Sequence, residues 1–191
     1  MRKLHPTLWR TCRVLSGKTR LGLLRSVIQT PDQTVTGLAS QLRISVPRTS
    51  QELRRLQSRG LIQAHRTGVH VFYRPAPDRL VSTAEPLLRA MQDAFRLFPP
   101  SEDESAVRIA AAFSHPRRIS ILRLLLIGPT SSWVLQETSG MSRDALNRHL
   151  AKLRVAGFVR RDGKNILIVD HPHPLAQSLI GILKENQPPG A

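Results

Sequence analysis

The chain has 191 residues, 40% of them apolar but only 4% aromatic, so any core must be built mainly from Leu, Ile, Val and Ala. Its formal charge of +16 at pH 7 must face water and seek a polyanion, nucleic acid first. A single cysteine, Cys12, excludes an internal disulfide, and the longest strongly apolar run, 119–127, is too short to span a membrane and contains Arg123.

From the N-terminus, the stretch 6–15 carries a helical apolar stripe, and no signal peptide is visible, since Arg, His, Pro and Thr run through its apolar residues. "TRLGLLRSVIQTP" reads as a helix, "TGLASQL" from Thr36 as a short second one, and a third follows that Ser45 caps. Pro47 is acceptable in that third helix's first turn, where no intrahelical donor is lost. Leu53 and Leu56 point inward and Gly60 ends it. "LIQAHRTGVHVFY" is a hairpin turning near Thr67-Gly68. Residues 83–98 form a helical stripe of Ala84, Leu87, Leu88, Met91, Phe95 and Phe98, in which Pro86 must fall in the first turn or kink the helix. "FPPSEDES" is a Pro-broken acidic linker in which Ser101 and Glu104 read as a capping box for a helix through Ala110, Ala111 and Phe113.

"HPRRISILRLLLIGP" then gives a helix with Ile119, Leu122, Leu125 and Leu126 inward, stopped by Gly128-Pro129. "SSWVLQETSGM" gives a short helix with Trp133 and Leu135 inward and a break at Gly140. Ser142 is an N-cap with Asp144 in the first turn, and the helix that follows buries Leu146, Leu150 and Leu153 and ends at Gly157. In "FVRRDGKNILIV", Asp162-Gly163 reads as a type I′ turn of a two-stranded wing, with Ile166, Leu167, Ile168 and Val169 as strand formers. The stretch 174–183 is a last amphipathic helix.

The frame "ISVPRTSQELRRLQSRGLI" at 44–62 therefore returns as "MSRDALNRHLAKLRVAGFV" at 141–159, offset by 97 positions. Each copy has the order helix, short helix, capped helix, hairpin, which is that of a winged helix-turn-helix. Charge follows the repeat. Residues 1–75 hold 14 Lys/Arg against 2 Asp/Glu, residues 76–113 hold 4 against 6, and residues 114–191 hold 11 against 5. The expected fold is mainly α with small β-hairpin wings: a first winged-helix domain over 1–82, a connecting helix and linker over 83–104, and a second winged-helix domain over 105–191. The four outer helices are expected to pack together as an intramolecular copy of a two-fold dimer.

The stretch 141–159, with "SHPRRISILRLL" and "SGKTRLGLLRSV" upstream of the two copies, resembles the ArsR-type and MarR-type bacterial transcriptional regulators. The resemblance implies sequence-specific binding of double-stranded DNA and action as a repressor. Two departures are plain. The paired cysteines of the family's metal sensors are missing, and one chain supplies both halves of what is usually a dimer.

On the third helix of each copy, burying Thr49, Leu53 and Leu56 leaves Arg48, Ser50, Gln51 and Arg55 outward. Burying Leu146, Leu150 and Leu153 leaves Arg143, Ala145, Asn147, Arg148 and Lys152 outward. Arg suits guanine and Asn or Gln suits adenine in the major groove. Ser45 and Ser142, at helix N-termini, serve phosphates as well as caps. Arg66, Arg160, Arg161 and Lys164 on the wings are expected to lie along the DNA backbone or in the minor groove. His171-Pro172-His173 lacks the ligand company of a metal site. No Gly-rich phosphate loop, nucleophile–base motif or carboxylate pair is evident, so no enzyme, cofactor or metal is expected. The expected setting is cytoplasmic and nucleoid-associated, with no membrane partner. The chain is read as a monomer acting as a pseudo-dimer, or as a homodimer, with room for a small-molecule effector. A replication or partition initiator, or a protein-interaction winged-helix module, are the rival readings.

Overall fold

The computed structural model describes residues 8–185; positions 6 and 7 of the first predicted helix lie outside them. The first half runs α1 (Leu8–Leu15), α2 (Lys18–Gln29), β1 (Gln33–Thr34), α3 (Val35–Leu42), α4 (Val46–Gln57), β2 (Gln63–Thr67), β3 (His70–Arg74) and α5 (Ala84–Leu97). A 3₁₀ turn, Pro100–Glu102, leads to the second half: α6 (Asp103–Phe113), α7 (Pro116–Ile127), β4 (Thr130–Ser131), α8 (Ser132–Ser139), α9 (Arg143–Val155), β5 (Val159–Asp162), β6 (Asn165–Ile168) and α10 (Pro174–Glu185). The chain is mainly helical with small antiparallel sheets, a tandem winged helix-turn-helix.

The stops of α4 and α9 show how the repeat is written locally. Gly60 and Gly157 both take positive φ, 69° and 79°. Around them the same two bonds close each helix: Leu61 N–H donates to the Leu56 carbonyl at 3.2 Å and Gly60 N–H to Gln57 at 2.8 Å. In the second copy Phe158 N–H donates to Leu153 at 3.0 Å and Gly157 N–H to Arg154 at 2.9 Å. This is the Schellman closure, and it turns the chain at once into the wing. A side chain at Gly60 would place its Cβ 2.9 Å from that of Asp78, so the position is closed sterically as well.

Four local expectations are corrected. Each wing is three-stranded, not two-stranded, because β1 pairs with β3 and β4 with β6; two-residue strands leave no periodicity to read. The second wing turns on Gly163-Lys164, since Asp162 pairs with Asn165. Only Gly163 of the two has positive φ, so the turn is not type I′. Ser101 caps nothing: α6 begins one residue after Glu102, which lies at its N-cap without a side-chain bond. Glu104 instead binds Lys18 of α2 at 2.6 Å. Trp133 points outward, at 69% exposure, while Leu135 is fully buried.

One apolar core runs through both halves. The outer helices meet in equivalent pairs: α1 packs on α6, and α5 on α10. The α5 face of Leu87, Leu88, Met91 and Phe95 and the α10 face of Leu175, Leu179, Ile182 and Leu183 are buried. Ser178 adds a hydroxyl bond to the Pro86 carbonyl at 3.3 Å. The acidic connection between halves is fastened. Buried Arg25 of α2 binds the Asp103 carboxylate, donates to the Phe95 and Phe98 carbonyls at 3.3 and 3.1 Å, and lies 4.1 Å from the Phe95 ring centroid. Cys12 is fully buried at the α1–α6 contact, which pushes its thiol well above the usual range. His173 is buried too, its ring 5.0 Å from that of Phe98 and its Nδ1 accepting the Leu175 N–H at 3.1 Å.

Candidate nucleic-acid interface

In the second half, Ser142 accepts the Ala145 N–H at 3.4 Å and so sets the first turn of α9. Leu146 and Leu153 are buried and Leu150 is half-buried. Arg143, Asn147, Arg148, Lys152 and Arg154 are exposed, and Ala145 is half-buried among them. The wing supplies Arg160 and Arg161 on β5 and Lys164 at the turn, all exposed. A groove of about 320 Å³ separates α9 from the wing, with Asn147, Arg154, Arg160 and Arg161 along it. A second notch, about 560 Å³, opens toward α8 and is lined by Ser132, Trp133, Gln136, Arg143, Asn147 and Arg161. Arg161 spans the two, reaching Ser132 Oγ at 3.3 Å. Arg143, Asn147, Arg160 and Arg161 are thus brought together. Lys152 lies on the other flank of α9, facing α6.

The first half presents a similar outline with different polar chemistry. Ser45 stands at the N-cap of α4 but makes no side-chain bond there. Arg48 is exposed and donates to Thr19 Oγ1 at 3.3 Å. Gln51 is exposed, Ser50 half-buried, and Arg66 exposed on the wing. Glu52, only 7% exposed, binds Arg20 at 2.9 Å and Arg55 at 3.0 Å. Arg55 is therefore drawn back onto its own helix. Burial works to raise the Glu52 carboxyl, but the bonds and charges of Arg20 and Arg55 outweigh it and hold the group below its ordinary value. Arg20 also donates to the Val14 carbonyl at 2.6 Å, tying α1 to the same network.

At the place of Glu52, α9 carries His149. Its ring lies 4.8 Å from that of His115, and its Nδ1 is buried without a hydrogen-bond partner. Burial, then the neighbouring His115 and the cations Arg118, Arg117 and Lys152, push His149 down to about 4. His115 is lowered by burial and by the cations Arg118, Arg117, Lys152 and Arg13.

Three features here escaped the sequence reading. Trp133, expected inward, is exposed. Its counterpart in the repeat, Thr36, is polar and exposed, so the frame itself marks the position as outward. Arg154, on the groove, lies two residues past Lys152, the last α9 position that the helical phase singles out. Glu52 has one partner in reach of helical spacing, Arg55, but its other partner, Arg20, comes from α2 and only the packing brings it in.

Among the described residues no group of three or more His, Cys, Asp or Glu is placed to hold a metal, and no helix is long and apolar enough to cross a membrane.

Comparison with known proteins bears on this surface. The family described as bacterial regulatory protein, arsR family, matches twice, over residues 17–64 and 115–161. The HTH-type transcriptional regulator YgaV of Escherichia coli K12 is 39% identical over 67 residues, 34% of this chain and 68% of that protein. The nodulation protein NolR of Rhizobium meliloti is 35% identical over 82 residues, 40% of this chain and 66% of its own length. A solved structure of human N-acetylserotonin methyltransferase with SAM aligns at a TM-score of 0.32 and 18% identity, over 60% of this chain and 45% of that one, too slight a likeness to bear on function.

Proposed function

The chain belongs to the ArsR family of bacterial regulatory proteins and is a DNA-binding transcription regulator; from that premise we propose that it is a repressor whose single polypeptide supplies both reading heads of a pseudo-two-fold unit. The observation that carries the reading is the pairing of equivalent helices, α1 with α6 and α5 with α10. An isologous dimer contact joins like to like, and here the like elements come from one chain. The division into 1–82, 83–104 and 105–191 goes with this reading.

On this proposal α4 and α9 enter successive major grooves. Arg143, Asn147 and Arg148 read bases in one half-site, and Arg48, Ser50 and Gln51 in the other. Arg66, Arg160, Arg161 and Lys164 hold phosphates, as do Ser45 and Ser142 at the helix starts. The two exposed faces differ in sequence, so the half-sites differ too, with centres roughly 10 bp apart. Repression follows if that duplex overlaps a promoter.

The test is to select duplexes from a random pool with the purified chain, sequence them, and place the recovered site before a reporter gene. Two unlike half-sites and reduced transcription on expression are expected. A pool without enrichment, or transcription that rises, contradicts the proposal.

A further inference from the structure

On the flank of α9 away from the wing, an open cleft of about 390 Å³ runs between α6 and the C-terminal half of the helix. That size lies at the lower end of what small-molecule sites enclose, about 300–1,000 Å³. Its floor is apolar, with Ala111 and Ala112 from α6 and Val155 from α9. Val155 is 71% exposed, a large aliphatic side chain left facing water. Three cations, Arg108, Arg118 and Lys152, line it together with Ser114, Ala151 and Ala156, and none of the lining residues is acidic.

The repeat makes this composition informative. Ala151 and Val155 of α9, with Ala156 just after it, stand where the first copy has Arg54, Ser58 and Arg59. In a chain rich in arginine, apolar residues replace two arginines and a serine along this edge of the second copy. The corresponding cleft in the first half, about 440 Å³, is lined instead by Trp9 and by arginines including Arg10, Arg13 and Arg59. Two more of its arginines, Arg20 and Arg55, are already bound to Glu52.

Arg118 is the second observation. It is only 5% exposed, yet it lines the cleft. Its Nε donates to the Ala112 carbonyl at 2.7 Å, and Nη2 to the Ala111 carbonyl at 2.7 Å and to Ser114 Oγ at 3.1 Å. These bonds cover the carbonyls ending α6, whose dipole would otherwise repel an anion. The remaining amino group, Nη1, takes part in none of them. A buried guanidinium with an uncommitted amino group beside an apolar floor favours an anion that carries its own apolar surface.

We propose that the α6–α9 cleft binds a small monocarboxylate with an apolar body, its carboxylate toward Arg108, Lys152 and Nη1 of Arg118, its body over Ala111, Ala112 and Val155. A hydrated polyanion would leave the floor uncovered, and a neutral apolar molecule would leave the cations unanswered. Binding is a property of the chain alone, so its test stands apart from the DNA reading, although one wall of the site is the helix assigned to DNA.

The test uses the full chain without DNA, titrated with benzoate, phenylacetate and octanoate by calorimetry and by amide NMR. Benzamide serves as the neutral isostere of benzoate and sulfate as the anion without an apolar body. At least one carboxylate should bind saturably and move the amides of Ala111, Ala112 and Val155. Benzamide and sulfate should each bind about tenfold more weakly or not at all, a difference of about 1.4 kcal/mol. Arg108→Gln and Ala151→Leu change exposed positions and should leave the melting temperature in place. The first should weaken binding about tenfold by removing a charge-assisted bond, and the second should do so by filling the cleft. Failure of all three carboxylates, equal binding of benzamide or sulfate, or unchanged affinity in both variants overturns the proposal.

Discussion

Positions 52 and 149 are the same place in the two copies of the frame, and they hold a glutamate and a histidine. In α4 the glutamate gathers Arg20 and Arg55 into a closed, half-buried network. In α9 the histidine lies against His115 amid Arg117, Arg118 and Lys152, and among the described residues no carboxylate gathers them. A winged-helix frame is thus indifferent to which polar chemistry fills this interior position, provided the leucines and the helix stop are kept. The consequence lies around this position: the first half holds Arg20 and Arg55 on a carboxylate, and the second sets a histidine there in its place.

Exchanging the two residues breaks the comparison most forcefully. Glu52→His leaves Arg20 and Arg55 without their anion and should cost about 3 kcal/mol in urea unfolding, the low end for breaking a buried pair. The reverse change, His149→Glu, meets Arg117 and Lys152 in the places of Arg20 and Arg55, and should cost under about 1 kcal/mol. Equal costs would mean that the network around Glu52 has no special role.

DNA binding should show the same inequality. Arg143→Ala or Arg148→Ala should lose about 1–3 kcal/mol and relax preference at one base pair. Arg48→Ala, whose guanidinium already donates to Thr19, should lose less. Uniform losses on every sequence would remove these residues from base reading. Arg161→Ala should lower the salt slope of binding by about one unit, and an unchanged slope would take it off the phosphates.

Acid separates the halves in a third way. The folded His149 pKa, about 4, lies below its ordinary 6.5. Between those values the unfolded chain takes up a proton that the folded chain refuses. Its contribution is complete above pH 6.5 and is lost as pH falls toward 4. His115 faces the same cations and adds in the same direction, as does His173, buried and lowered to about 4. Glu52 is also lowered, but its contribution erodes only below its ordinary 4.5. His149→Gln should flatten stability between pH 6.5 and 4 by about 1 kcal/mol, after allowance for solvent screening. No change in that slope would mean the site admits a proton freely.

The smallest effect concerns helix stops. Arg43 ends α3 at φ 54°, where Gly140 ends α8 at φ 61°. A non-glycine residue is strained there, so Arg43→Gly should raise stability by about 0.5–1 kcal/mol and Gly140→Arg should lower it similarly. Melting curves of the two variants decide.

Much of the fold was legible because the repeat states it twice. The leucine spacing of α4 and α9, the glycines after them, the Ser142 cap, and the break at Gly140 are local signals with local causes. What was not legible depended on distant partners. Ser101 looked like a cap, but α6 starts two residues further on, where Asp103 meets Arg25. Trp133 looked like core because tryptophan usually is, yet its place in the frame belongs to an exposed threonine in the other copy. For the candidate site, the exposed basic residues were readable from helical phase. That Arg20 of α2 joins Arg55 on Glu52, and that Lys152 faces α6 instead of the wing, required the packing of α2 and α6.

The central claim is that one polypeptide presents two unlike readers to one duplex. Hydroxyl-radical footprinting of a selected site, with chain-to-duplex stoichiometry measured by sedimentation on the same complex, tests it most directly. The account predicts one chain per duplex and two protected patches of different sequence, with centres roughly 10 bp apart. A palindromic footprint occupied by two chains, each protecting a single patch, would contradict it.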